Sequence, residues 1–360
     1  MVETSCASVC QEAAIGAGDL GSLGEFGLID ALTAWLPPGP GTLVGIGDDA
    51  AVLAAPDGRV VATTDFVLEG RHFRREWSDP ADIGHKAAAR SLSDVAAMGA
   101  RPTGLLVALA APADVPVSWL RSLADGLAAE SARAGASVIG GDTARSDVVV
   151  LAVTGLGDLD GRVPVLRSGA RPGDVVAVAG PLGHAAAGLA LLTAGLREPA
   201  RFVRAQLRPS PPYDAGPAAA LLGATAMIDV SDGLLADLGH VAAASNVRID
   251  LRSAALADPL LFDLITTTDL VPESASVSDG DPHPALSPEF AWILTGGEDH
   301  SLAATFPPAV DLPPPWRPIG TVHPVPAATD HPPPANPSAR ATPTVPPTPT
   351  VLPTPTVLPT

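Results

Sequence analysis

The chain has 360 residues, of which 21 are basic, 39 are acidic and 46% are hydrophobic, and its formal net charge is −18. This length and apolar content are sufficient for two domains with sizeable cores. So acidic a surface argues against nucleic acid as the main partner, although metal ions or local arginines would still let a phosphorylated ligand bind.

The N-terminal segment lacks the basic and apolar regions of a signal peptide, so we expect a cytoplasmic protein with a disordered leader at 1–23. Cys6 and Cys10 are expected to be free thiols, because two thiols without neighbouring histidines do not complete a zinc site. The uncharged stretch 175–196 is interrupted by glycine and proline, which favours a buried strand and helix over a membrane span. We therefore predict no contact with a membrane.

The predicted fold begins with a helix and an acidic hairpin. A helix is expected from Glu25 until Pro37 ends it. Residues 44–72 then read as a strand, a Pro-Asp-Gly turn and a second strand. Such a hairpin-like path would bring Asp49 and Asp65 near each other.

From residue 79 onward, helices and strands alternate, which predicts an α/β protein. The first half is predicted to contain helices at 79–98 and 117–134 and strands at 103–109, 137–139 and 148–155. The second half is predicted to contain strands at 175–179, 224–229, 247–251, 301–306 and 316–322, helices at 182–196, 212–222, 233–244 and 253–264, and a polar loop at 266–284. The segment 324–360 is rich in proline and ends in a PTPTVL repeat, so it is predicted to be disordered.

The run from Gly45 to Ala50 fits the dinucleotide-binding pattern G-x-G-x-x-[G/A], and Asp65 lies 20 residues after Gly45. However, Pro56 and Gly58 break the helix that this pattern requires, and its carboxylates would face the pyrophosphate. The sequence contains neither a P-loop nor the H-R-D and D-F-G kinase signatures. Use of ATP would therefore need a different kind of site.

Acidic residues recur beside Gly, Ser or Thr at predicted strand and helix ends. They are Asp49, Asp65, Asp94, Asp142, Asp229, Asp232, Glu298 and Asp299. Taken singly, each has an ordinary interpretation as a helix cap or turn residue. Taken together, with few bases to pair them, they favour a multi-metal phosphate site, and their hard oxygen atoms suit Mg²⁺.

Nine sequence segments carry a resemblance to a known family. They are GEFGLI (24–29), GIGDDAAV (45–52), TTDFVLEGRHF (63–73), HKAAARSLSDVAAMGARP (85–102), IGGDTAR (139–145), RSGARPGD (167–174), LRPSPP (207–212), IDVSDGLLADLGH (228–240) and LTGGEDHSL (294–302). In this order they resemble thiamine-monophosphate kinase, of the aminoimidazole ribonucleotide synthetase-like superfamily, over residues 24–323.

The resemblance implies a two-domain α/β (α+β) fold. An N-terminal ATP- and metal-binding domain at 24–160 would form a β-barrel with a second copy in a homodimer, and a C-terminal α/β domain would occupy 161–323. The implied activity is direct transfer of the ATP γ-phosphoryl group to thiamine phosphate, assisted by several Mg²⁺ ions, to give thiamine diphosphate.

The resemblance also implies roles for individual residues. The metal ligands would be Asp49, Thr63, Thr64, Asp65, Asp94, Asp142, Asp229 and Asp232. ATP would contact Gly141, Asp142, Arg167 and Ser231, and thiamine phosphate would contact His72 and Glu298. Asp65, Asp94 and Arg167 would support catalysis by positioning and charge neutralisation, since the ionised acceptor phosphate needs no general base.

Two departures from the family pattern stand out. His300 occupies a position where the family has tyrosine, and the proline-rich tail replaces a C-terminal segment carrying an aromatic residue that stacks on the substrate. Two alternatives remain. One is another ATP-using enzyme of the superfamily, and the other is a non-catalytic nucleotide- or partner-binding protein whose tail is a docking peptide.

Overall fold

Two β-sheets, one from each half of the chain, organise the fold in a computed structural model that describes residues 34–44, 51–268, 270 and 287–325. Several sequence predictions lie outside these residues: the leader with Cys6 and Cys10, most of the helix from Glu25, the proposed ligand Asp49, most of the loop at 266–284 and the tail from 326.

The first half forms a four-stranded sheet with two helices and a separate strand pair. Its elements are β1 (Thr42–Val44), β2 (Val52–Leu53), β3 (Val61–Leu68), α1 (Pro80–Ala97), β4 (Arg101–Ala111), α2 (Val117–Arg133), β5 (Val138–Arg145) and β6 (Val150–Asp158). The sheet order is β3-β6-β4-β5, in which β4 and β5 are parallel and the other pairs are antiparallel.

The predicted hairpin around the Pro-Asp-Gly turn is wrong in its pairing. Strand β2 pairs with β1, and β3 pairs with β6 along its whole length, from Val61 opposite Gly157 to Leu68 opposite Val150. The long β3 satisfies its backbone hydrogen bonds with a strand of matching length, which the two-residue β2 does not offer.

The second half forms a five-stranded antiparallel sheet surrounded by helices. Its elements are β7 (Val175–Ala179), α3 (His184–Thr193), α4 (Ala200–Leu207), α5 (Ala215–Leu222), β8 (Ala226–Val230), α6 (Leu234–Ser245), β9 (Val247–Leu251), α7 (Ser253–Leu256), α8 (Pro259–Thr268), α9 (Pro288–Thr295), β10 (Ser301–Phe306) and β11 (Arg317–Pro324). The sheet order is β8-β10-β7-β11-β9.

The alternation predicted for this half is confirmed, with local differences. The single helix expected at 253–264 is two helices, because Pro259 starts a new one and the Asp258 carboxylate accepts the Leu260 N–H at 2.9 Å. Helix α4 was not predicted, and α8 extends through Thr268, into the segment predicted to be a loop from Thr266. None of the described helices is both long and apolar enough to cross a membrane.

Helix α1 lies at the centre of the described fold. It packs on α2 and on the four-stranded sheet, and it also contacts β8 and β10 of the second sheet. Added side chains would block its close packing on α2, since a Cβ at Gly84 would lie 2.1 Å from the Leu123 carbonyl oxygen and one at Gly126 would lie 2.0 Å from that of Ala81. The polar residues of α1 are therefore held at the junction of the two halves. The domain boundary predicted at 160/161 falls in the segment between β6 and β7 and stays a prediction.

Candidate active site

One face of α1 carries a row of polar side chains about one turn apart, Lys86, Arg90 and Ser93–Asp94. Lys86 and Ser93 are buried, and Arg90 and Asp94 are half-buried. Each of these side chains contacts a residue from another part of the chain, so the helix is the element around which the candidate site is assembled.

Strand β3 brings two predicted ligands to α1. The Thr63 hydroxyl donates to Asp94 Oδ2 at 2.7 Å, and the Ser91 hydroxyl donates to Asp65 Oδ2 at 2.8 Å. Thr63 and Asp65 share this direction because alternate residues of a strand point to the same face. Thr64, between them, is exposed and donates to the Val153 carbonyl at 3.2 Å.

The second half contributes Asp229 from the end of β8. The Ser93 hydroxyl lies 2.9 Å from Asp229 Oδ2, and His300 Nδ1 lies 3.1 Å from the same oxygen. Asp229 is only 4% exposed. The structure thus gathers Thr63, Asp65 and Asp94 of the first half and Asp229 of the second around one helix.

These carboxylates affect one another. Burial raises the pKa of Asp94 to about 7, and the nearby carboxylates of Asp229 and Asp65 add to the rise. A divalent cation would relieve this repulsion, and the oxygen-only donor set fits Mg²⁺. Within the described ranges, however, no three acidic, histidine or cysteine side chains are close enough together to hold a metal ion.

Two other predicted ligands, Asp142 and Asp232, lie at the surface. The Asp142 carboxylate accepts the N–H of Thr143 at 2.8 Å. In the part of the chain that the structure describes, no hydrogen bond or ion pair joins either carboxylate to Asp94 or Asp229. Gly141 and Arg167, predicted to contact ATP, are also exposed: Gly141 lies on β5, and the Arg167 carbonyl accepts a hydrogen bond from Ser245 at 3.0 Å.

Asp237 was missed by the sequence analysis, although it organises the loop before α6. Its Oδ2 accepts the backbone N–H groups of Ser231, Asp232 and Gly233, each at 3.1 Å. Burial raises the pKa of Asp237 to about 6 in spite of these bonds. The available signal was an acid in the first turn of a predicted helix.

Glu298 is bound by two cations of α1. Lys86 Nζ lies 2.9 Å from Glu298 Oε2, and the Arg90 guanidinium bonds to Oε1. Burial alone raises the pKa of this carboxyl, but the charges of Lys86, His300 and Arg90 outweigh burial and hold its pKa well below its usual range. Lys86 and Arg90, four residues apart on the helix that carries Asp94, were not predicted as site residues.

The Gly-Gly-Glu-Asp turn holds Glu298 in an unusual backbone conformation. Glu298 has a φ of 70° and His300 a φ of 52°, both in the left-handed region that L-residues rarely adopt. The Glu298 N–H donates to the Ser231 carbonyl at 2.8 Å, which ties this turn to the loop before α6. Asp299 caps α3, accepting the N–H groups of Gly183 at 2.5 Å and Ala185 at 2.8 Å.

A cleft of about 360 Å³ brings together the two residues predicted to contact the acceptor, His72 and Glu298. His72 Nδ1 accepts the Leu68 N–H at 3.0 Å, so Nε2 is the ring nitrogen that carries any further contact. Burial lowers the pKa of His72, and the charge of Arg90 lowers it further. A cavity of about 410 Å³ between α6, β9 and α9 is lined by apolar residues and one serine, so it is less suited to a phosphorylated ligand.

The class of protein follows from the first half and the overall fold. The model of the AIR synthase related protein N-terminal domain matches residues 47–159. The crystal structure of the hydrogenase maturation protein HypE from E. coli shares the fold at 19% identity, with a TM-score of 0.60 over 82% of this chain and 91% of that one. The fold is thus that of the AIR synthase related proteins.

Closer relatives define the family. The chain is 48% identical over 303 residues to the thiamine-monophosphate kinase of Mycobacterium tuberculosis, covering 84% of this chain and 86% of that protein. The crystal structure of thiamine-monophosphate kinase from Stenotrophomonas maltophilia aligns with a TM-score of 0.68 at 33% identity, over 83% of this chain and 93% of that one. The structure of AaThiL complexed with AMPPCP and TMP aligns with a TM-score of 0.64 at 32% identity, over 86% of this chain and 93% of that one. The chain belongs to the thiamine-monophosphate kinase family, which confirms the family resemblance and the fold class.

Proposed function

We propose that this protein transfers the γ-phosphoryl group of ATP to thiamine phosphate, forming thiamine diphosphate and ADP. The observation that carries the proposal is the direct contact between the acceptor cleft and the acid group, by which we mean the carboxylates of Asp65, Asp94 and Asp229. The Arg90 guanidinium bonds to Glu298, which lines the cleft, and lies 4.0 Å from Asp65 Oδ1. An acceptor phosphate in the cleft would therefore lie beside the carboxylates that hold cations.

The reaction needs positioning and charge neutralisation more than proton transfer. Both reactants are anions, and the acceptor oxygen is already ionised near neutral pH. Bound Mg²⁺ would supply the positive charge that lets the phosphate groups approach. In this proposal Asp65, Asp94 and Asp229 hold it together with Asp49, Thr63, Thr64, Asp142 and Asp232, and the mutual repulsion of the first three carboxylates supports the assignment.

The remaining assignments follow the family motifs. Gly141, Asp142, Arg167 and Ser231 are proposed to bind ATP, which is consistent with a relative that binds AMPPCP. His72 and Glu298 are proposed to bind thiamine phosphate, and the shared cleft supports this pairing. In this proposal the protein acts in the cytoplasm.

A homodimer through the four-stranded sheet is also proposed. Phe66 on β3 is 60% exposed and Leu106 on β4 is 37% exposed. Two large apolar side chains exposed on strands of one sheet are a feature of surfaces that pair with another chain. Sedimentation of the purified protein would test this, with Phe66→Ser expected to shift the protein toward a monomer.

The activity is tested by incubating the purified full chain with ATP, Mg²⁺ and thiamine phosphate and separating the products. We expect thiamine diphosphate and ADP in equal amounts. We expect no thiamine diphosphate when thiamine phosphate is replaced by thiamine. Binding of ATP without any thiamine diphosphate would favour the alternative of a non-catalytic nucleotide-binding protein.

A further inference from the structure

The charge of the acceptor cleft opposes that of the whole protein. The chain carries a net charge of −18, yet the cleft is lined by Arg71, Arg74 and Lys86 together with His72. Glu298 is the only carboxylate among the described residues that line it. A cleft that is locally cationic in an acidic protein has a positive electrostatic potential, which attracts an anion to it.

The cation that joins the cleft to the acid group is Arg90, which sequence motifs did not single out. Its side chain is 14% exposed and lies between Glu298 and Asp65. One carboxylate, Glu298, is shared by two cations, Lys86 and Arg90, and Asp65 approaches Arg90 only to 4.0 Å. An anion bound beside Arg90 would therefore gain a charge-assisted contact that the described side chains leave largely unused.

The described part of the chain does not use all the donors of Arg90. One terminal nitrogen bonds to Glu298, and the other approaches Asp65 Oδ1 only to 4.0 Å. Arg90 Nε is buried and has no hydrogen-bond partner among the residues that the structure describes. Nε and an adjacent terminal nitrogen form the edge of a guanidinium that matches two oxygens of a phosphate.

We propose that Arg90 binds the phosphate of the acceptor, with Glu298 holding the guanidinium in position for it. The proposal rests on the proposed function, since it assigns a role in the same site. Glu298 then acts on the substrate mainly through Arg90, and His72, which also lines the cleft, contacts the rest of the molecule. The phosphate held by Arg90 lies next to Asp65, at the side where the γ-phosphoryl group must arrive.

A purely structural role for Arg90 is the competing explanation, in which it only fixes Glu298. The two roles differ in what they predict for a ligand without phosphate. If Arg90 binds the phosphate, its loss weakens binding of thiamine phosphate but not of thiamine. If Arg90 only fixes Glu298, its loss weakens both ligands by the same factor.

The test measures the affinity of the full chain for thiamine phosphate and for thiamine by calorimetry, in wild type, Arg90→Met and Arg90→Lys. We expect Arg90→Met to weaken thiamine phosphate by about 10- to 100-fold, the range of a hydrogen bond to a charged group, and thiamine by less than about twofold. Arg90→Lys keeps the charge but loses the planar guanidinium, so its affinity for thiamine phosphate should lie between those of wild type and Arg90→Met. It also serves as the test if Arg90→Met does not fold. Arg248→Met, which removes an exposed arginine paired with Asp250 on β9, is the matched control.

Steady-state kinetics provide a second readout. Arg90→Met should raise the KM for thiamine phosphate while the KM for ATP stays within about twofold. Equal weakening of thiamine and thiamine phosphate, or no weakening of either, would overturn the role of Arg90. If wild type forms no thiamine diphosphate, the proposed function itself fails, which is a separate result.

Discussion

The Ser93 hydroxyl lies 2.9 Å from Asp229 Oδ2, although the two residues are 136 positions apart in the chain. Ser93 is on the central helix α1, and Asp229 is the penultimate residue of β8 in the second sheet. Both side chains are buried, so this contact fixes the distance between the carboxylates that the two halves contribute. The spacing of these carboxylates consequently depends on the packing of α1 against the second sheet.

Ser93→Ala should lower the free energy of unfolding by about 1–3 kcal/mol, because it removes a partner from a buried carboxylate. Denaturant unfolding measures the change. Ser131→Ala is the matched control: Ser131 is also a buried serine in a helix, but its hydroxyl donates to the Leu127 carbonyl at 2.7 Å and not to a carboxylate. A smaller loss for Ser93→Ala than for the control would contradict the importance of this contact.

Asp65→Asn and Asp94→Asn should each lower kcat by about 100-fold or more, because each removes a charged ligand from the proposed Mg²⁺ site. Removal of Mg²⁺ with EDTA should abolish activity, and added Mg²⁺ should restore it. Asp160→Asn, which changes an exposed carboxylate paired with Arg101, should leave kcat unchanged. Full activity in EDTA would refute the role of metal.

His72→Ala and Glu298→Gln should weaken thiamine phosphate far more than ATP. Both side chains line the acceptor cleft, and Glu298→Gln also removes the counter-charge that holds Arg90. Each KM is measured with the other substrate saturating. Glu76→Gln, at an exposed position before the cleft residue Trp77, is the control. An equal rise in both KM values would show that the two residues do not belong to the acceptor site.

Sequence motifs predicted many of the candidate site residues, and the residues that they did not predict were missed for physical reasons. Asp65 and Asp229 lie on strands and Asp94 on a helix with a clear apolar period, and the recurrence of such acids beside Gly, Ser or Thr was the basis for predicting that they share a site. The roles of Lys86 and Arg90 were not predicted, because a cation on a helix face has no distinctive signal until its partner is known. Their partner, Glu298, is more than 200 positions away, the Arg90–Glu298 separation being 208.

In the fold, too, features set by local sequence were predicted, and features set by contacts between distant residues were not. Helix α1 has a clear apolar period and a glycine at its end, and its predicted bounds of 79–98 nearly match Pro80–Ala97. The pairing of β2 with β1 instead of β3 depends on tertiary hydrogen bonding, which the local turn signal does not determine.

Stability should fall as the pH drops through the range just below 6.5, because of His85. Burial lowers the pKa of His85, and the charges of Arg133 and Arg208 act in the same direction, while Glu130 and a hydrogen bond to the Pro209 carbonyl oppose them. The unfolded chain therefore takes up this proton at a higher pH than the folded chain. The contribution of His85 is fully present above its unfolded pKa and is lost as the pH falls toward the folded value.

Measuring the free energy of unfolding between pH 5 and 8 in wild type and His85→Gln tests this. The variant cannot take up the proton, so the wild-type curve should fall more steeply toward pH 5. His240→Gln, at an exposed position on α6, is the control and should leave the slope unchanged. Parallel curves for wild type and His85→Gln would disprove the assignment.

The last prediction concerns the C-terminal segment, whose proline content removes amide donors and whose Thr-Pro alternation offers no apolar face. Removing residues 326–360 should leave the melting temperature unchanged. The cut spares β11, which pairs with β9 from Gly320 opposite Leu251 to Pro324 opposite Val247. A cut after Pro315 removes β11 with its buried Ile319 and Val322 and is expected to unfold the protein, which makes it the contrasting control.

The family resemblance places a substrate-stacking aromatic residue where the C-terminal segment lies. Grafting a family-type C-terminus should therefore lower the KM for thiamine phosphate by about fivefold, the equivalent of one stacking contact, without changing the KM for ATP. A lower melting temperature after the 326–360 truncation, or a graft that changes both KM values alike, would contradict this account of the segment.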